Sequence, residues 1–126
     1  MSVSGGQFFR DAWIAGVKRY YEGVPKEGYI LPWSAMPSWE QESAQAVYDQ
    51  ICQFVLLTDG RTQQLSREQK GRFVCLCWIG QVLKHYETPK ASYITDWEDL
   101  PVWQKETDAD IFETIESSVV QEGLRA

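Results

Sequence analysis

Pro25-Lys-Glu-Gly-Tyr-Ile-Leu-Pro-Trp-Ser-Ala-Met-Pro-Ser-Trp39 is answered 64 residues later by Pro89-Lys-Ala-Ser-Tyr-Ile-Thr-Asp-Trp-Glu-Asp-Leu-Pro-Val-Trp103. Both copies read Pro-Lys-x-x-Tyr-Ile-x-x-Trp-x-x-x-Pro-x-Trp, with no gap. Pro25, Pro32 and Pro37 forbid one continuous helix, so the stretch is a loop that ends on a proline suited to the first turn of a helix. The echo spreads outward at the same offset through Phe9/Phe73, Gly16/Gly80, Glu42/Glu106 and Ile51/Ile115. It fails at Trp13, which falls opposite Cys77 with Trp78 one step on. A duplicated unit predicts a fold of two related halves.

Each half reads as helix, long loop, helix. Phe9, Ala12, Trp13, Gly16, Val17, Tyr20 and Tyr21 keep the three-four spacing of one helix face, and Gly23 with Pro25 ends it. Trp39, Val47, Ile51, Phe54 and Val55 mark a second helix over about 37–57. Asp59-Gly60 is a turn signal. Ser66 and Gln69 form a capping box that opens a third helix, running to about Tyr86. Its residues Phe73 to Leu83 are apolar nearly all round, which predicts the buried centre of the bundle, or a face covered by a second subunit. Trp103, Ile111, Phe112 and Ile115 define the fourth helix, with Asp108, Asp110, Glu113 and Glu116 as its acidic outer face. No segment alternates as a strand does. The expectation is therefore an all-α, four-helix domain of two pseudo-symmetric repeats. They span about 7–57 and about 66–118, with a linker at 58–65, a flexible lead at 1–6 and a frayed tail at 119–126.

The length of 126 residues suits a single domain with a real core. A formal charge of −6 argues against nucleic-acid binding. Cys52, Cys75 and Cys77 are odd in number and lack framework spacing, so they read as reduced thiols of a cytoplasmic protein. No signal peptide and no membrane-spanning run is evident.

The segment Asp96-Trp-Glu-Asp-Leu-Pro-Val-Trp-Gln-Lys-Glu-Thr-Asp-Ala-Asp-Ile-Phe112 resembles a turn-plus-helix of small uncharacterised proteins from actinobacteria and their phages, where the pattern is roughly Trp-x-x-Leu-Pro-x-Trp-Gln. It is also similar to the segment that follows the core of ryanodine-receptor-type repeat domains, although the Gly-Trp-x-Tyr-Gly core of those domains has no counterpart here. The resemblance implies a local fold and a source. It implies no activity.

The sequence offers no catalytic constellation. His85 is the only histidine, and it has no Ser or Cys partner nearby in sequence. Asp110 and Glu113 share a helix face, but two carboxylates without histidine make a poor metal site. No phosphate-cradling glycine loop or cofactor motif is present. The expectation is a non-catalytic module without metal or cofactor that docks a protein partner, with Trp13, Tyr20 and Tyr21 as its aromatic anchors and a homodimer as one form. The alternative is a small-ligand or nucleotide sensor. There Tyr29, Trp33, Tyr93 and Trp97 would form two aromatic platforms rimmed by Lys26 and Lys90.

Overall fold

The computed structural model describes residues 3–123 and contains four long helices with no strand among the described residues. Helix α1 spans Gly5–Tyr20, α2 Ser38–Leu57, α3 Arg67–His85 and α4 Val102–Gln121. Short 3-10 turns at Glu27–Ile30 and Trp33–Ala35 build the first connector, and turns at Ala91–Ile94 and Trp97–Asp99 build the second. From the first connector turn to the end of α2, these bounds recur 64 residues later in the second half. Prolines set the recurrence, because Pro37 and Pro101 immediately precede α2 and α4.

The capping box at Ser66 is present, with the Ser66 side chain accepting from the Gln69 backbone N–H and the Gln69 side chain accepting from that of Ser66. Helix α2 stops where Asp59 (φ 53°) and Gly60 (φ 79°) turn left-handed, a conformation that Gly60 tolerates without a Cβ penalty.

Four expectations need correction. Helix α1 begins at Gly5, earlier than the flexible lead allowed, because Ser4 caps it and Gly6 seats against the Trp33 ring. Met1 and Ser2 lie outside the described residues. Helix α4 runs on to Gln121, since Val119 and Val120 pack against the core, so residues 119–121 are helix and not tail; residues 124–126 of the expected tail lie outside the described residues.

The third helix is not the buried centre. Its Leu76 and Leu83 are 69% and 53% exposed. The centre is α2 against α4, where Val47, Ile51, Val55, Ile111, Phe112 and Ile115 are all fully buried. Phe9 of α1 and Val74 of α3 close the cluster from either side. An all-round apolar sequence gave α3 no unique buried face, so packing chose one side and left the leucines out.

The outer acidic face of α4 is largely neutralised. Arg67 reaches Glu106 at 2.7 Å, Asp110 at 2.9 Å and Glu113 at 2.6 Å. Lys70 and Glu116, only 5% and 4% exposed, pair at 2.9 Å. Asp108 does not belong to that face at all: it is buried, one turn before Phe112.

Candidate ligand cavity

A cavity of about 380 Å3 lies where α1–α4 and both connectors converge. Aromatic rings form two of its walls. On one side Trp103 sits against Trp13 at 5.8 Å and Tyr29 at 5.3 Å between ring centres, with Tyr21 behind it at 5.1 Å. On the other, Trp39 sits against Trp78 at 6.1 Å and Tyr93 at 6.4 Å, with Tyr86 behind it at 5.0 Å. Phe9 stacks on Trp78.

Trp13 thus meets Trp103 as Trp78 meets Trp39, which corrects the sequence alignment. The spatial counterpart of Trp13 is Trp78, 65 residues on, and not Cys77. The cause is the linkage after each first helix. Six residues separate Tyr20 from the turn at Glu27, while five separate His85 from the turn at Ala91.

The polar groups of the cavity are not duplicated. Arg10 is buried and held in place as its Nε donates to the Leu31 carbonyl at 3.0 Å and its Nη2 to the Gly28 carbonyl at 3.1 Å. Burial lowers the Arg10 pKa, and the charge of Glu40 opposes that shift. Burial likewise raises Glu40, against the pull of Arg10. The counterpart of Arg10 is Cys75, whose Sγ points at the Thr95 carbonyl at 3.7 Å. Burial, with the charges of Asp108 and Asp96, pushes that thiol up to about 11, so it is not a ready nucleophile at neutral pH.

Asp108 on α4 lines the cavity and is 5% exposed. Among the described residues, no hydrogen bond or ion pair engages its carboxyl. Burial alone pushes it well above the ordinary 3.8. The position 64 residues earlier is Ala44, and Gln104, one turn before Asp108, stands where the first half has Glu40.

The residues expected to bind ligand divide. Tyr29 and Tyr93 line the cavity, with Lys26 Nζ 5.8 Å and Lys90 Nζ 6.0 Å from their ring centres. Trp33 and Trp97 turn away and seat on Gly6 and Gly71, where a Cβ would overlap the rings. The expected partner anchors also move. Trp13 donates its indole N–H to the Tyr29 carbonyl at 2.8 Å, and Tyr21 packs on Trp103, so both serve the cavity wall. Tyr20 stands apart beside Arg19, its pKa raised by burial and by the neighbouring Asp110 carboxylate. Among the described residues, no cluster of three or more His, Cys, Asp or Glu side chains could hold a metal, and no helix is long and apolar enough to cross a membrane.

Phe9, Arg10, Trp39, Trp78, Trp103 and Asp108 complete the site; the sequence had placed Asp108 on the acidic outer face and assigned none of the six to a ligand site. A signal for Asp108 existed. Asp108, Ile111, Phe112 and Ile115 keep the spacing of one helix face, which places a carboxylate on the apolar stripe of α4.

The fold and its interior define a helical bundle with an aromatic-walled, internally charged cavity. No family model matches the chain, and neither the curated proteins nor the solved structures yield a match.

Proposed function

We propose that this chain is a non-catalytic small-ligand receptor whose ligand enters the aromatic cavity between the four helices. The observation that carries this reading is Asp108. A buried carboxyl without a partner costs several kcal/mol in its charged form, a cost that the alanine at position 44 does not incur. Its place on the wall of a cavity of ligand size gives it a use. We read the two halves as related by an approximate two-fold through the cavity, which doubles the aromatic walls while Arg10 and Asp108 make the interior polar at unlike ends. Lys26 and Lys90, over Tyr29 and Tyr93, suit a ligand with an anionic substituent such as a nucleotide.

The test is native mass spectrometry of the protein purified from its host, paired with thermal shift against nucleobases and mononucleotides. An added mass of ligand size, or a rise in melting temperature that saturates with one compound class, is the expected result. Bare protein and no shift with any compound would refute the receptor reading.

A protein-interaction role rests on a different surface. Leu76 and Leu83 are exposed one above the other on α3, two turns apart, and form an apolar stripe that a partner or a second copy could cover. Substituting both with Glu would abolish such an association and leave ligand binding intact.

A further inference from the structure

We infer that the cavity takes a planar nitrogen heterocycle bearing an amino group next to a ring nitrogen, with Asp108 reading that edge. The inference rests on the receptor reading above and deepens it.

Three observations carry it. First, Asp108 is buried, lines the cavity and has no partner among the described residues. A carboxyl group and an amino-ring-nitrogen edge form two parallel hydrogen bonds: the amino N–H donates to one oxygen, and the other oxygen shares one proton with the ring nitrogen. The pair is neutral overall whichever atom holds that proton. It therefore satisfies Asp108 without bringing net charge into the cavity. Second, Gln104 lines the same cavity one turn earlier on α4. Its amide can donate and accept, which suits the next polar atom along a heterocycle's edge. Third, the walls are rings: Trp13 and Trp103 on one side, Trp39 and Trp78 on the other. Flat π-systems stack against such walls.

A simple organic cation would also neutralise Asp108, but the charges around it argue otherwise. Arg10 lies within the cavity, and Lys26 and Lys90 stand over two of its lining tyrosines. Among the described residues that line the cavity, Glu40 is the carboxylate besides Asp108, and its charge and that of Arg10 act on each other. A ligand that is neutral at its recognised edge fits this balance better.

The probes are 2-aminopyridine and 2-methylpyridine, which share a shape and differ in the amino donor. Calorimetry on the full chain should show 2-aminopyridine binding about tenfold tighter or more, the worth of one hydrogen bond to a buried ionisable group. Asp108→Leu should bring 2-aminopyridine down to the level of 2-methylpyridine. Asp108→Asn, whose amide still offers one donor and one acceptor, should keep part of the preference. Equal affinities for the two probes in the wild type, or an unchanged preference in Asp108→Leu, would overturn the role of Asp108 while leaving the receptor reading in place. No binding of either probe, together with no ligand in the native mass spectrum, would overturn both.

Discussion

Replacing Asp108 with Asn should change the pH dependence of folding in a direction the structure dictates. The folded carboxyl has its pKa raised well above 3.8 because burial penalises its charge and no cation or hydrogen-bond donor compensates. The unfolded chain returns it to water and to its ordinary value. Between the two values the folded protein holds a proton that the unfolded chain has released. Stability therefore falls as pH rises through this window, by about 1.4 kcal/mol per pH unit, and levels off above the folded pKa. Below the unfolded value Asp108 contributes no pH dependence. Asn has the same shape and no charge. The mutant-minus-wild-type difference should thus stay level under acid conditions and rise in favour of Asn as pH climbs. Against a total stability of about 5–15 kcal/mol, such a slope is readable. The neighbours do not confuse it. The Cys75 thiol stays neutral up to about 11, and Glu40 and Arg10 are common to both proteins. Urea denaturation of both proteins from about pH 3 to about pH 8 gives the curve. A difference that is flat across this range would refute the reasoning, because it would mean that the Asp108 carboxyl is already solvated in the folded state.

Other consequences can be checked on the same apparatus. Lys70→Met strands the buried Glu116 carboxylate and should cost about 3–5 kcal/mol, whereas Lys70→Met with Glu116→Leu should recover most of it; a single mutant as stable as wild type would show that the pair is hydrated. Gly71→Ala drives a methyl into the Trp97 ring and should cost about 1–3 kcal/mol in thermal or urea unfolding. Gly80→Ala, with open space around its Cβ on the same helix, should instead stabilise by about 0.5–1 kcal/mol, and a loss there would contradict its placement.

Helix number, helix order and the two connectors between the helices were legible in the sequence because they follow from local chemistry. Pro37, Pro101, Gly60 and the Ser66–Gln69 box act within a few residues of where they stand. The one-residue slip between the halves was harder to see. The linkage after α3 is one residue shorter than that after α1, so a constant offset that matches the connectors misaligns the first helices. Packing exposed the slip by setting Trp78 against Trp39 as it set Trp13 against Trp103.

The candidate site was half legible. Tyr29, Tyr93 and their lysines stood out because they repeat, yet repetition alone could not separate a cavity wall from a structural wedge, and Trp33 and Trp97 proved to be wedges seated on Gly6 and Gly71. Arg10 did not stand out because it does not repeat, and Asp108 was read with its acidic neighbours as part of the outer face of α4.

By itself the sequence determined four helices, their punctuation and the rings available to line an interior, since each depends on near neighbours in the chain. Only the tertiary structure decided which rings face one another, that α2 and α4 form the centre in place of α3, and that one carboxyl of α4 points inward while its neighbours pair with Arg67 and Lys70. Those outcomes depend on which faces of separate helices meet, and a helix rich in apolar and charged residues alike leaves that choice to its partners.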